Sequence, residues 1–153
     1  MSIFAADKKH HHSHSPSMEQ VLEELKKAQL KLTNPRRAIL QVLVAEHGPF
    51  TAEEVLKRVS RRVCDQATVY RTLASLEEVG IIRRCEFGDG SARYEIAGQG
   101  GHHHHHLICR KCKKVEIVDD CEIEDLDNIA QKRGFSNVSH ALEFFGLCPT
   151  CKK

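Results

Sequence analysis

Two C-x-x-C pairs, Cys109-x-x-Cys112 and Cys148-x-x-Cys151, constrain the fold of this 153-residue chain more than any other feature. They bracket a segment whose patterns are typical of a strand, a helix and a second strand. Four thiolates in two such turns match the closed tetrahedral coordination of a structural Zn(II), which needs four protein ligands. A redox-active pair and unligated cysteines are the alternatives. We therefore expect Cys109, Cys112, Cys148 and Cys151 to hold a zinc ion that stabilises a small C-terminal domain.

Composition and charge indicate a cytoplasmic protein whose basic residues are concentrated in its N-terminal half. No apolar run approaches the roughly 20 residues of a membrane-spanning helix, and the first residues lack the order of a secretory signal. The seven cysteines are therefore expected in a reducing compartment. The net charge is only +2, but the segment from Lys31 to Arg71 contains eight basic residues and only four acidic ones. The net charge by itself does not indicate nucleic acid, but this local excess predicts that any polyanionic partner would meet the N-terminal half.

The chain divides into four predicted segments. Residues 1–17 are polar and His-rich, which predicts a disordered tail. Residues 18–97 contain four helical patterns, the first with apolar residues from Val21 to Leu32, followed by two strand patterns around Gly88-Asp89-Gly90. "GQGG", residues 98–101, predicts a hinge, and residues 102–153 a small α/β domain. The predicted fold class is α+β, with an N-terminal winged helix-turn-helix followed by the α/β domain.

The helices of the N-terminal segment carry sequence signals at their starts. Thr33 or Asn34 precedes "PRRAILQVL", Thr51 and Glu54 have the spacing of a capping box, and an aspartate precedes "QATVYRTLASLEEVG". The hairpin after these helices supplies the wing, and the basic surplus lies on the helices. This order of elements is the basis of the winged-helix prediction.

Five consecutive histidines, residues 102–106, run directly into the first cysteine pair. If they lie on a strand, His102, His104 and His106 share one face, while His103 and His105 point to the other. A helix would instead pair His102 with His106, but the following "LIC" favours the strand. One short run can thus supply ligands to two separate sites. Neutral imidazole suits Zn(II), Fe(II) and Mn(II), but spacing alone does not join other histidines or carboxylates to the run.

Several segments together resemble the ferric uptake regulator (Fur) superfamily of metal-dependent repressors. They are "TNPRRAILQVL", "TAEEVLKRV", "ATVYRTLASLEEVGII", "HHHHHLICRKCKKVEI" and "SHALEFFGLCPTC", in that order. The resemblance covers residues 18–153. It implies a winged helix, an α/β dimerisation domain, and a homodimer that binds palindromic, A/T-rich operators when a regulatory metal is bound. It also implies a structural Zn(II), an Fe(II) or Zn(II) regulatory ion, and no enzymatic activity.

The resemblance also assigns ligands and DNA contacts by position. The structural zinc matches the four cysteines named above. The regulatory hinge site matches His47, Glu95, His104 and His106. A second site, in the dimerisation domain, matches His103, His105, Glu124 and His140, with His105 where the family commonly has aspartate.

The expected DNA contacts lie mainly on the helix "DQATVYRTLASLEEVG", which should enter the major groove. Tyr70 offers a ring edge and a hydroxyl, and Arg71 reaches a phosphate or a guanine edge. By family position, Lys31 reaches the minor groove and Arg36 anchors a phosphate, although a structural salt bridge is the alternative for Arg36. Arg93, in the wing, is a further candidate for a phosphate contact.

The sensed metal and the function class have alternatives. A carboxylate in the hinge site favours Fe(II); "GFSNVSHALEFFG" is similar to zinc uptake regulators, and a peroxide sensor is a third possibility within the family. A zinc hydrolase and a metal-storage protein are the alternatives of other classes, but no H-E-x-x-H motif is present. Cys64, Cys85 and Cys121 receive no role beyond that of buried thiols.

Overall fold

The computed structural model describes residues 16–46, 48–98, 105–118, 130–136 and 142–152. These residues form an N-terminal set of helices with one small sheet, followed by a second small sheet, so the predicted α+β class is confirmed. None of the described helices is long and apolar enough to cross a membrane. The elements are α1 (Met18–Lys27), α2 (Asn34–Glu46), β1 (Phe50–Thr51), α3 (Ala52–Val59), α4 (Gln66–Glu78), β2 (Ile82–Glu86), β3 (Ala92–Ile96), β4 (His105–Cys109), β5 (Val115–Val118) and β6 (Glu143–Gly146).

Each of the helices α1 to α4 begins where a side-chain oxygen accepts a hydrogen bond from the backbone of the first turn, which satisfies an amide that has no partner within the helix. The Thr51–Glu54 capping box is present as predicted. Ser17, which was predicted to belong to the tail, instead caps α1 through a box with Gln20. The four capping residues are Ser17, Thr33, Thr51 and Asp65.

The first helix is shorter than predicted. The apolar spacing predicted that it would continue through Leu32, but α1 ends at Lys27. Gln29 then adopts a positive φ of 56°, a conformation that interrupts a right-handed helix. Leu30 and Leu32 still pack against the core from the connecting segment. Their apolar character therefore reflects burial, and the helical period was wrong beyond Lys27.

The core of the N-terminal half lies between the four helices and the sheet β1-β3-β2. Helical periodicity places one apolar face of each helix against its neighbours, and these side chains are almost fully removed from water. Burial of this kind contributes about 1.5–3 kcal/mol for each large aliphatic side chain. The largest side chains that are almost fully buried are Leu25, Ile39, Leu40, Leu43, Leu73, Leu76 and Ile82.

The wing is the antiparallel hairpin of β2 and β3, and its register determines which side chains meet. Arg83 pairs with Glu95, and Cys85 pairs with Arg93. Because paired residues and residues two apart share a face, all four side chains lie on one side of the hairpin. The loop between the strands contains Gly88, whose φ of +72° favours glycine.

The C-terminal sheet has the strand order β5-β4-β6, with β4 antiparallel to β5 and parallel to β6. The strand predicted at the histidine run is confirmed for His105–Cys109. The helix predicted after it is described only from residue 130, and it ends before Gly134, whose φ of +84° stops a right-handed helix. The apolar core of the described part of this half consists of Ile108 and Cys109 alone, far less than in the N-terminal half.

Candidate metal centres and nucleic-acid interface

The two C-x-x-C pairs lie together at one end of the C-terminal sheet. Cys109 ends β4, and the turn that carries Cys112 closes with a hydrogen bond from the Lys113 amide to the Cys109 carbonyl at 2.9 Å. The second turn follows β6, where the Cys151 amide donates to the Cys148 carbonyl at 2.9 Å. Because β6 is parallel to β4 and lies directly beside it, both turns emerge at the same end of the sheet.

The four sulfurs have the spacing of a tetrahedral zinc site. All of them lie within 4.8 Å of one another, and Cys112 Sγ is 3.7 Å from Cys148 Sγ. Tetrahedral Zn(II) with Zn–S bonds of about 2.3 Å places sulfurs about 3.8 Å apart. The donor set therefore fits a closed zinc site in both number and spacing.

Electrostatics in the cluster also favour a cation. Hydrogen bonds from the backbone amides of Cys148 and Cys112 lower the pKa of the Cys109 thiol to about 6, which favours its thiolate form. The pKa of the Cys151 thiol is raised to about 12, mainly by its hydrogen bond with the Cys148 sulfur. A divalent ion at the centre of the four sulfurs would offset the repulsion between thiolates and favour loss of the remaining thiol protons.

The second cluster joins the wing to the C-terminal sheet. Glu95 of β3 and His106 of β4 are both buried, and Glu95 Oε2 lies 3.1 Å from His106 Nε2. Arg83 forms an ion pair with the other oxygen of Glu95. Two residues of the predicted hinge set are thus adjacent, on strands from the two halves of the chain. The other two predicted members, His47 and His104, lie outside the described residues.

Cys85 is a member of this cluster that the sequence analysis missed. Its sulfur lies 3.4 Å from Glu95 Oε1, and the ligand atoms of Cys85, Glu95 and His106 all lie within 4.8 Å of one another. Burial, together with the nearby Glu95 carboxylate, raises the pKa of the Cys85 thiol to about 12. The predictive signal was the hairpin register: from Gly88-Asp89-Gly90, Cys85 falls on the same face as Glu95. The buried-thiol interpretation holds for Cys64, which lies in the N-terminal core.

His105 points to the opposite face of β4 from His106, as strand alternation predicts. It is buried, and its Nδ1 lies 3.1 Å from the Leu142 carbonyl oxygen, to which an Nδ1–H donates. Such a hydrogen bond to a carbonyl fixes the ring orientation, as in many histidines that bind metals through Nε2. Its predicted partners His103, Glu124 and His140 lie outside the described residues, as does Cys121.

The predicted recognition helix, α4, presents Tyr70 and Arg71 to solvent. The Tyr70 side chain is 43% exposed, and its hydroxyl donates to Glu53 Oε1 at 2.6 Å. That hydrogen bond lowers the pKa of Glu53. The Arg71 guanidinium bonds to its own helix, at the Ala67 carbonyl and the Thr68 hydroxyl. Both side chains are thus placed on the outer face of the helix.

The remaining DNA candidates have different environments. Lys31 is exposed in the segment between α1 and α2. Arg36 binds the Lys31 carbonyl and approaches the Ser75 hydroxyl at 3.5 Å, so it connects that segment to α4. Arg93 is 8% exposed and forms two hydrogen bonds with the Asp89 carboxylate. The Arg93 guanidinium is thus buried and paired within the wing, and its contact with phosphate stays a prediction.

Comparison with known proteins gives consistent matches over most of the chain. Residues 27–145 match the Ferric uptake regulator family. The ferric uptake regulation protein of Legionella pneumophila is 37% identical over 134 residues, which cover 85% of this chain and 97% of that protein. The peroxide-responsive repressor PerR of Staphylococcus epidermidis (strain ATCC 12228 / FDA PCI 1200) is 30% identical over 139 residues, 89% of this chain and 91% of that protein.

The fold leads to the same group of proteins. The ferric uptake regulator Fur of Helicobacter pylori, described as having three functional metal binding sites, superimposes with a TM-score of 0.75 at 30% identity. The match covers 93% of this chain and 98% of that structure. Proteins of this group are transcription regulators and not enzymes, which agrees with the prediction from the motifs. The chain belongs to the Ferric uptake regulator family.

Proposed function

We propose that this protein is a metal-dependent transcriptional repressor of metal-uptake genes, which binds palindromic operators as a homodimer when its hinge site holds a divalent ion. The observation that carries the proposal is the buried approach of Glu95 to His106. These residues lie on either side of the hinge, one on the wing and the other on the C-terminal sheet. An ion shared by them would fix the orientation of the winged helix.

The donor set supports a regulatory ion at this position. A buried carboxylate and a buried imidazole 3.1 Å apart are close to the spacing of about 3.3 Å that oxygen and nitrogen take on a tetrahedral ion. His47 and His104 are the proposed additional ligands, and the ion is Fe(II) or Zn(II). The ion supplies positive charge and directional bonds. Glu95 and His106, which each bring a strand to it, are the residues that couple metal binding to the arrangement of the two halves.

A second regulatory site is proposed for the opposite face of β4. His105 carries its proton on Nδ1 when that atom donates to the Leu142 carbonyl, so Nε2 has the lone pair that a metal requires. The proposed partners are His103, Glu124 and His140. Adjacent histidines on one strand would thus serve two sites, because strand geometry directs them apart.

DNA binding is assigned to the exposed face of α4. Tyr70 and Arg71 are proposed to contact the major groove, with Lys31 at the minor groove and Arg36 holding the Lys31 segment against α4. The hydrogen bond from Tyr70 to Glu53 keeps the ring in one orientation before DNA binds. Side chains fixed in this way lose less conformational entropy on binding.

The C-terminal sheet is the proposed dimer interface. Leu107 of β4 and Phe144 of β6 are adjacent in the register and are 42% and 44% exposed. Phe135 and Leu147 add further exposed apolar surface in the same half. Apolar side chains concentrated in this way mark surfaces that bind a protein. A second copy of the chain gives the two-fold symmetry that a palindromic operator requires.

Operator binding by a histidine variant and a lysine control tests the proposal. Randomised duplexes would be selected under anaerobic conditions with Fe(II), Zn(II) or Mn(II), and affinity for the selected sequence measured with and without each ion. We expect a palindromic sequence, bound more tightly with metal by roughly 5- to 150-fold. His106→Ala should abolish that gain, whereas Lys111→Ala, on the adjacent exposed turn, should retain it. A metal response that survives in His106→Ala would reject the hinge as the regulatory site.

A further inference from the structure

We infer that Cys85 is a ligand of the hinge site, and that its sulfur, together with Glu95 and His106, makes the site selective for Zn(II) over Fe(II) and Mn(II). This inference rests on the proposed function, because it concerns the same site. It adds a ligand from β2 that the sequence analysis left without a role. The sequence analysis favoured Fe(II) as the ion of the hinge site, whereas the Cys85 ligand favours Zn(II).

The distances in the cluster are those of a metal site with three different donors. Cys85 Sγ lies 3.4 Å from Glu95 Oε1, and His106 Nε2 lies 3.1 Å from Glu95 Oε2. Zn(II) bonds of about 2.3 Å to sulfur and about 2.0–2.1 Å to oxygen and nitrogen give donor separations of about 3.6 Å and about 3.3 Å. The two contacts use different oxygens of Glu95, and the ligand atoms of all three residues lie within 4.8 Å of one another, which is the size of a single metal site.

The fold brings Cys85 to this position through the hairpin register. Arg83 and Cys85 lie on one face of β2, where Arg83 is directly opposite Glu95 and Cys85 is directly opposite Arg93. Cys85 is therefore the diagonal neighbour of Glu95 on the same face. Beyond them, the Phe87 ring packs against the His106 imidazole with 5.3 Å between ring centres. The cluster is therefore enclosed by an aromatic side chain as well as by the two strands. Enclosure of this kind restricts water and strengthens the bonds between donors and an ion.

The chemistry of sulfur determines the selectivity. Thiolate is a soft donor that favours Zn(II), whereas carboxylate and imidazole together also accept Fe(II) and Mn(II). Binding of Zn(II) forms a Zn–S bond and displaces the thiol proton to solvent. The thiol also makes the site sensitive to substitution: Cys85→Asp would supply an oxygen donor at the same place and shift the preference towards Mn(II).

Cobalt spectroscopy on the zinc-loaded protein tests the inference directly. The four-cysteine site would first be filled with one Zn(II) per chain, and Co(II) then titrated into the hinge site. We expect the near-ultraviolet sulfur-to-cobalt charge-transfer band in the wild type. The band should also form in Cys64→Ala, a control that removes a core cysteine, and should be absent in Cys85→Ser. X-ray absorption at the cobalt edge of the wild type should show one sulfur in the coordination shell, and this readout needs no variant.

Zinc affinity supplies the second readout. Cys85→Ser should weaken Zn(II) binding at the hinge by at least the roughly 10- to 100-fold that loss of an outer-shell partner costs, with a much smaller effect on Mn(II). A cobalt shell without sulfur, or unchanged zinc affinity in Cys85→Ser, would overturn the inference. Operator binding at saturating Mn(II) separates the two proposals. If Cys85→Ser keeps its metal response there but has lost zinc selectivity, both stand. If the response is absent in the wild type, the proposed function fails by itself.

Discussion

Loss of the four-cysteine zinc should unfold the C-terminal sheet and leave the N-terminal half folded. The perturbation is Cys112→Ser, because Cys112 is the exposed member of the cluster and its replacement disturbs the packing least. The expectation follows from the unequal cores of the two halves. In the described part of the chain, the C-terminal strands bury Ile108 and Cys109 as apolar residues, whereas the other buried apolar residues belong to the N-terminal half.

The size of the stability loss in the C-terminal sheet follows from its small apolar core. Burial of Ile108 contributes about 1.5–3 kcal/mol, which does not offset the entropy lost when three strands are ordered. A structural zinc contributes about 10–16 kcal/mol in apparent terms, as much as the whole stability of an ordinary domain. From the described residues we therefore expect the sheet to depend on the zinc, so that a missing ligand removes most of its stability. The N-terminal helices should keep theirs, because their core does not include the cluster.

Hydrogen exchange measured by mass spectrometry checks this prediction. Amides that connect the strands and the cysteine turns, such as the Cys109 amide bonded to Lys114 and the Arg110 amide bonded to Gly146, should lose protection in Cys112→Ser. Amides of α2 and α4 should remain protected. Lys111→Ser, in the same turn, is the control and should behave as the wild type. If the β4 amides stay protected after zinc is removed, the sheet is stable alone and the reasoning is wrong.

Three further predictions concern the DNA face, the dimer and the wing. Arg71→Ala should weaken operator binding by about 1–3 kcal/mol in a fluorescence anisotropy titration. A change in the salt dependence of the affinity would identify a phosphate contact. Affinity equal to that of the wild type would exclude Arg71 from the DNA interface. Phe144→Glu should convert the dimer to a monomer in sedimentation equilibrium, since it places a charge beside Leu107, and an intact dimer would move the interface elsewhere. The bond to Arg93 lowers the pKa of Asp89 to about 2, below its usual value of 3.8, so the pair stabilises the wing at higher pH and loses this effect as the pH falls from about 4 to 2. Asp89→Asn should therefore lower the free energy of unfolding by up to about 1 kcal/mol at neutral pH. It should also reduce the dependence of that free energy on pH between about 4 and 2. An unchanged pH dependence would contradict a stabilising role for the Asp89–Arg93 pair.

Much of the fold could be predicted because it follows from local patterns. Capping residues mark helix starts through hydrogen bonds to nearby amides, and Thr51 and Asp65 were recognised in this way. The glycine-containing turn identified the hairpin, and alternation identified β4. The prediction failed at Leu32, because an apolar residue in a connecting segment follows the same spacing as one on a helix. Burial against the core, and not local conformation, determined that pattern.

The metal centres could be predicted only in part. Two C-x-x-C turns each form locally, so spacing reveals them, and only their meeting depends on the parallel pairing of β4 with β6. The hinge cluster depends on contacts between distant residues, and family position supplied Glu95 and His106. Cys85 was missed because a thiol on a wing strand has no motif of its own. Its role becomes visible only when the hairpin register is combined with the approach of β4 to the wing.

Operator affinity under selective metal removal tests the central claim most directly. A chelator weak enough to leave one zinc per chain in the four-cysteine site would be titrated against the protein–operator complex, with bound metal counted at each step. The coupling between the hinge and the DNA face predicts that affinity falls by about 1–3 kcal/mol as the hinge site empties, while the dimer persists. Operator affinity that stays constant after the hinge ion has left would contradict it.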